Sequence, residues 1–211
     1  MRKLPIYLVL DVSGSMRGEP IEAVRVGIHS LVQTLMRDPY ALETAYLSVI
    51  TFNNKVNLDV PLTEIIHFNM PEIEAKNGTY IGKALKFLEE RIDLEVTKTT
   101  AEVKGDWKPL VFLMSDGRSG DSIEKALKSI ETRKFGFVIV CAAGPDSNIE
   151  ALKHISENVV LLKNLDKETI KSFFKWVSAS VCASSVKIGE SNQETRVISE
   201  LPSLPSEITI V

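Results

Sequence analysis

An aspartate and two hydroxyls at alternate positions, Asp11-Val12-Ser13-Gly14-Ser15, follow directly on the apolar run Ile6-Tyr7-Leu8-Val9-Leu10. In extended backbone, residues i, i+2 and i+4 project to the same side, so Asp11, Ser13 and Ser15 can converge on one point while Gly14 lets the chain turn. One carboxylate with two hydroxyls and no neighbouring His or Cys is a hard-oxygen donor set, suited to Mg²⁺ or Mn²⁺ rather than zinc. Two further stretches could complete the shell: Asn77-Gly78-Thr79, just before a helix starting near Tyr80, and Ser115-Asp116-Gly117, after another apolar run.

The elements that must position these residues alternate between strand and helix. Ile6–Leu10 reads as a buried strand. Glu19-Pro20 opens a helix with Pro in the first turn; Ile21, Val24, Ile28, Leu31, Val32 and Leu35 line one face until Asp38-Pro39 stops it. Ala45–Phe52 is a second strand, Asn53-Asn54 a hairpin turn, and Val56, Leu58, Val60 and Leu62 alternate with polar residues as on a half-exposed edge strand. After an irregular connection from Thr63 to Gly78, the helix face Ile81, Ala84, Leu85, Leu88 and Ile92 leads to a strand at Pro109–Met114. The next helix face is Ile123, Ala126, Leu127 and Ile130, with Asp121 as its expected N-cap. A strand at Phe137–Ala142, a short helix at Asn148–Ser156 and a strand at Val159–Leu162 follow. A last helix carries Ile170, Phe173, Phe174, Val177 and Val181.

This order argues for an α/β fold: a doubly wound, mainly parallel sheet with one antiparallel edge strand and helices on both faces. Ligands of such sheets bind outside the carboxyl ends of the strands, where Asp11 and Asp116 both fall. The pattern degrades after Ala183, so the domain is expected over residues 1–183 with a C-terminal tail over 184–211. The β-prone end Ile208-Thr209-Ile210-Val211 could add to a sheet edge in cis or in trans, although irregular surface packing is the favoured expectation.

Composition excludes several function classes. A net charge of -3, with lysines scattered rather than clustered, gives no footprint for nucleic acid. No run approaches the roughly 18 apolar residues of a membrane span. The basic start Met1-Arg2-Lys3 precedes too short an apolar stretch for a secretory signal. Two distant cysteines, Cys141 and Cys182, read as reduced and buried or structural. A cytoplasmic location is expected. His29, His67 and His154 lack ligand spacing and read as surface residues, Trp176 as core edge, and Trp107 as either core or interface.

The combination Asp-x-Ser-x-Ser, then Thr79, then Asp116 resembles the metal-ion-dependent adhesion site of von Willebrand factor A (vWA) domains, a Rossmann-like fold. The resemblance runs over roughly residues 4 to 182. It implies that Ser13 and Ser15 ligate the metal directly, that Asp11 binds mostly through water, and that Thr79 and Asp116 exchange between direct and water-mediated contact. It implies Mg²⁺, with Mn²⁺ and Ca²⁺ as alternatives, and a partner protein that supplies an Asp or Glu carboxylate to the ion. The opening Arg2-Lys3-Leu4-Pro5-Ile6-Tyr7-Leu8, the run from Asp11 to Ala23, Asp38 to Ala45 and Val103 to Leu110 further resemble the TerY-type tellurite-resistance vWA proteins of bacteria. That resemblance implies a stress-response setting and a scaffold for phosphorylation signalling, with a 2C-type phosphatase or a Ser/Thr kinase as partner. Arg118-Ser119-Gly120 departs from the Pro/Thr-containing turn expected in such relatives, and residues 184–211 do not resemble the Cys/His-rich C-terminal module of some longer relatives.

Two rivals compete with this reading. The hydroxyls and Asp116 could merely cap turns and a helix, but capping does not require the three loops to converge. A haloacid-dehalogenase-like Mg²⁺-dependent phosphohydrolase also places an Asp after its first strand, and Asp116 and Asp121 match its late acidic spacing. Its general acid–base, a second Asp two residues after the nucleophile, is Ser13 here. The expectation is an adaptor and not an enzyme.

Overall fold

The computed structural model describes residues 2–195 and 198–211; residues 196 and 197 of the expected tail lie outside the described residues. Chain order is β1 (Leu4–Asp11), α1 (Glu19–Leu35), α2 (Pro39–Thr44), β2 (Ala45–Phe52), β3 (Val56–Glu64), α3 (Ile81–Glu95), β4 (Leu110–Ser115), α4 (Ile123–Ser129), β5 (Phe137–Ala143), α5 (Ile149–Lys153), β6 (Val159–Leu162), α6 (Lys167–Ser191) and β7 (Ile208–Ile210). The strands form one sheet in the order β3-β2-β1-β4-β5-β6-β7. Pairing is parallel from β2 through β6 and antiparallel at both edges. The expected doubly wound α/β sheet is therefore present, with a second antiparallel edge contributed by β7.

β1 lies at the centre, and every one of its residues is buried. Its alternation splits the core in two. Leu4, Ile6, Leu8 and Leu10 pack with Ile28 and Leu31 of α1 and with Phe173, Phe174 and Val177 of α6. Tyr7 and Val9 point to the other face, among Ile81, Leu85 and Leu88 of α3. A strand buried on both faces needs a continuous apolar run, which β1, β4 and β5 each have. α1 and α6 approach closely because Gly27 has no side chain: a Cβ there would lie 2.2 Å from the Phe174 ring.

At one edge, β3 alternates as expected and carries an exposed Pro61, which lacks an N–H and discourages pairing with another chain. At the other edge, the structure corrects the expectation of an irregular tail. α6 does not stop near Ala183 but continues through Ser191. The chain then returns along the surface, where Trp176 Nε1 donates to the Pro202 carbonyl at 2.8 Å and Lys163 Nζ to the Ser206 carbonyl at 2.7 Å. β7 pairs in cis with β6, placing Ile208 opposite Leu162 and burying it.

The extension of α6 escaped the apolar pattern because its buried stripe is rich in serine. Ser178 and Ser184 are buried and return their hydroxyl protons to the carbonyls of Phe174 and Ser180, at 2.8 and 2.9 Å. That back-bonding satisfies a hydroxyl inside a helix, and Ser184 Oγ also shares a hydrogen bond at 2.8 Å with Thr195 Oγ1, beyond the end of the helix. Asp38 both ends one helix and starts another: its carboxylate accepts from Ala41 N at 2.8 Å and caps the short α2. Among the described residues no helix is long and apolar enough to cross a membrane.

Candidate metal centre

The strand order reverses between β1 and β4: the chain leaves β1 toward β2 and β3, then returns to build β4, β5 and β6 on the other side. The carboxyl ends of β1 and β4 therefore form the crevice where open α/β sheets bind ligands. Asp11 ends β1, and Asp116 follows β4 immediately.

A continuous chain of hydrogen bonds joins these two loops. Ser115 Oγ donates to Asp11 Oδ2 at 2.6 Å, and Ser13 N donates to Asp11 Oδ1 at 2.8 Å. The Ser13 and Ser15 hydroxyl oxygens lie 3.0 Å apart, and Ser15 Oγ reaches Asp116 Oδ2 at 3.5 Å. Asp116 is fixed from outside, its Oδ1 accepting from Arg118 N at 2.9 Å and its carbonyl from Asn148 N at 2.8 Å. Asp11 and Ser13 are buried, Asp116 is half-buried and Ser15 is exposed, so the cluster opens to solvent on the Ser15 side. Burial pushes the Asp11 carboxyl above its ordinary range; hydrogen bonds from Ser115 and Ser13 oppose the rise, and the charge of Asp116 adds to it. Two carboxylates held this way are relieved by a cation.

The Thr79 loop is held in place through its backbone. It is tied to the first loop by Lys76 N donating to the Val12 carbonyl at 2.7 Å and to the hairpin by Tyr80 N donating to the Asn53 carbonyl at 2.9 Å. Gly120 N donates to the Thr79 carbonyl at 2.7 Å. The Thr79 hydroxyl itself makes no hydrogen bond among the described residues. The structure thus links Asp11, Ser13, Ser15 and Asp116 by hydrogen bonds, and ties the Thr79 loop to Val12, Asn53 and Gly120 by main-chain bonds.

Several residues of this site went unassigned in the sequence. Ser115 was visible beside Asp116, but its task of holding Asp11 was not. Asn53 does more than turn the hairpin, since its side chain accepts from Lys55 N at 2.8 Å while its carbonyl anchors Tyr80. Asp121 is corrected: it does not cap α4, a task that falls to Ser122, whose hydroxyl accepts from Lys125 N at 3.2 Å. Asp121 instead accepts from Gly82 N and Lys83 N at the start of α3. The three histidines are exposed, as expected, whereas Trp107 and Trp176 are both buried, Trp107 beneath the Arg2 guanidinium at 3.5 Å. Cys141 and Cys182 are free thiols.

A sequence model of the von Willebrand factor type A domain matches residues 6–175. The chain belongs to the vWA family. Among curated proteins it is 30% identical over 136 residues to an uncharacterized protein of Synechocystis sp., sll0103, a match covering 60% of this chain and 29% of that one. The chain thus spans less than a third of that relative. Solved vWA-type folds resemble it at lower identity. Proximal thread matrix protein 1 of the mussel byssus, in a structure with a zinc-occupied MIDAS motif, superposes with a TM-score of 0.59 at 19% identity over 86% of this chain and 48% of that one. The pilus adhesin SpaC of Lactobacillus rhamnosus GG gives 0.64 at 13% identity over 87% and 30%. BatB of Bacteroides thetaiotaomicron gives 0.55 at 18% identity over 83% and 97%. At these identities the likeness speaks for the vWA fold alone.

The donor set of this vWA domain fits a small divalent ion. Among the described residues no three His, Cys, Asp or Glu side chains gather at one point. The cluster offers hydroxyls and two carboxylates instead, the chemistry of a hard cation. The 3.0 Å between the Ser13 and Ser15 oxygens matches two adjacent corners of an octahedron, which lie about 2.8–3.0 Å apart for Mg²⁺–oxygen bonds of about 2.0–2.1 Å.

Proposed function

We propose that this vWA domain is a metal-dependent protein-interaction module, in which Asp11, Ser13, Ser15, Thr79 and Asp116 hold one Mg²⁺ and the ion binds a carboxylate of a partner protein. The observation that carries the reading is the hydrogen-bonded chain Ser115–Asp11–Ser13–Ser15–Asp116 across the β1–β4 crevice, open to solvent at Ser15. A shell with three neutral hydroxyls leaves the ion electron-poor, and one more carboxylate from outside completes it. In this arrangement Ser115 and the Ser13 N–H orient Asp11, Arg118 N orients Asp116, and the hydroxyls of Ser13 and Ser15 point to the shared position. Mn²⁺ and Ca²⁺ are alternative occupants.

The module is not an enzyme in this reading. Ser13 stands where a phosphohydrolase would need its acid–base carboxylate, and the Asp121 oxygens are already engaged by the α3 amides. The finer assignment, a cytoplasmic TerY-type scaffold for a 2C-type phosphatase or a Ser/Thr kinase in stress resistance, is supported by the sequence segments quoted above. The test is capture of partners by immobilised protein in Mg²⁺ and in chelator, repeated with Ser13→Ala/Ser15→Ala. A metal-dependent partner lost with the double variant is the expected result. Equal capture in chelator, or hydrolysis of phosphate esters that disappears in Asp11→Ala, overturns the reading.

A further inference from the structure

The turn Arg118-Ser119-Gly120-Asp121 lies outside the ligand set, yet it joins two of the loops that carry it. Ser119 Oγ accepts from Ile81 N at 3.0 Å and donates to Asp121 Oδ1 at 2.6 Å. Asp121 Oδ1 accepts from Gly82 N at 3.0 Å, and its Oδ2 from Lys83 N at 2.9 Å. Three consecutive N–H groups at the start of α3, which helix geometry leaves without internal partners, are therefore satisfied by the loop that begins at Asp116. α3 has no cap of its own, because Tyr80 occupies the N-cap position and contributes no side-chain bond. Gly82 keeps the space clear: a Cβ there would lie 2.9 Å from Asp121 Oδ2. Gly120 N then closes the junction on the Thr79 carbonyl.

We infer that Asp121, with Ser119, is a positioning residue of the metal centre, a latch that fixes the Thr79 loop against the Asp116 loop. The inference rests on the metal reading above. The Thr79 loop is held by main-chain bonds to Val12, Asn53 and Gly120, and among the described residues no partner holds the Thr79 hydroxyl itself. Without the latch, an incoming ion must itself order the loop, and that entropy cost is subtracted from its binding. Because the latch acts through Thr79, its effect vanishes when the Thr79 hydroxyl is gone.

Calorimetric titration with Mn²⁺ tests this on the full chain. Asp121→Ala is expected to weaken Mn²⁺ binding about tenfold, the scale of losing a partner that orients a metal ligand. Asp121→Asn, which keeps one accepting oxygen, falls between. Ser122→Ala, which removes the neighbouring cap of α4, lowers the melting temperature and leaves Mn²⁺ affinity in place. In a Thr79→Ala background, Asp121→Ala adds less than about twofold, the non-additivity of residues acting as one unit. An Asp121→Ala protein that binds Mn²⁺ as tightly as the parent, or that loses the same factor in both backgrounds, removes the latch and leaves the metal centre standing. A parent protein that binds no Mn²⁺ removes both. If Asp121→Ala does not fold, Asp121→Asn and Ser119→Ala carry the same comparison.

Discussion

Asp11→Asn is the least disruptive way to disable the metal centre. The Asp11 side chain is 2% exposed, and its two oxygens receive the Ser13 N–H and the Ser115 hydroxyl. Asn preserves the shape and one accepting oxygen for Ser13, while its amide nitrogen faces Ser115 Oγ, which already accepts from Gly117 N at 3.2 Å and loses the acceptor of its own proton. The substitution forfeits a charge-assisted hydrogen bond of about 1.5–3 kcal/mol. Against that, it removes a carboxylate whose burial and nearness to Asp116 both disfavour ionisation. The two effects are of similar size and oppose each other, so metal-free stability changes by no more than about 1–2 kcal/mol. The response to metal changes far more. An ion that binds only the folded chain adds about 2.7 kcal/mol at a hundredfold excess over its dissociation constant. A domain of this size gains about 2–4 °C per kcal/mol, so the parent is expected to melt about 5–10 °C higher in saturating Mg²⁺ than in chelator. Asp11→Asn should lose most of that increment. Scanning calorimetry of both proteins in both buffers decides the matter. A variant that keeps the full Mg²⁺ increment would show that Asp11 has no part in binding, and a parent with no increment would remove the metal centre itself.

Two other substitutions test the scaffold. Gly27→Ala places a methyl group 2.2 Å from the Phe174 ring, and the overpacking should cost about 1–3 kcal/mol in urea denaturation, more than the roughly 1 kcal/mol of added helix propensity returns. A neutral or stabilising result would mean that α1 and α6 slide apart freely. Tyr7 is buried with its hydroxyl donating to Glu95 Oε2 at 3.0 Å, and burial first, then the Glu95 charge, raise its pKa above the ordinary 10.0. The unfolded phenol ionises first, so this contribution to stability is complete below pH 10 and declines as pH rises beyond it. The stability of the parent should therefore fall more steeply above pH 10 than that of Tyr7→Phe, and parallel pH profiles would refute the assignment.

What the sequence made legible divides along a physical line. β1, β2 and β4 and the faces of α1 and α3 could be read because long segments buried against a sheet must repeat their apolar residues at a strand or helix period. The convergence of the first loop was legible for a related reason: Asp11, Ser13 and Ser15 are neighbours along one extended stretch. Contacts between distant segments left no such trace. Asp121 sits one residue before the α4 cap in sequence, and only the folded chain brings it to the amides of α3, 38 and 39 positions away. α6 was cut short because Ser184 and Ser185 are buried polar residues whose partners, the Ser180 carbonyl, Thr195 and Thr44, appear only in the folded chain, so that a core face looks like a surface one. β7 is three residues long, too short to carry a period, and its partner β6 decides its conformation.

The reversal of strand order between β1 and β4 also sets what the proposed metal centre requires of the fold. Asp11 and Ser115, bonded across the crevice, are 104 positions apart in the chain. Closing a loop of that length costs about 4 kcal/mol in chain entropy before any contact repays it. The β1–β3 half and the β4–β6 half are each closed by shorter loops, and the crevice exists only where the two halves meet. The proposed ligands come from both halves, so the full donor set exists only once they have met. An ion bound at the proposed site is expected to act afterwards as a lock on the finished seam, slowing unfolding more than it speeds folding, which stopped-flow unfolding with Mg²⁺ and with chelator measures.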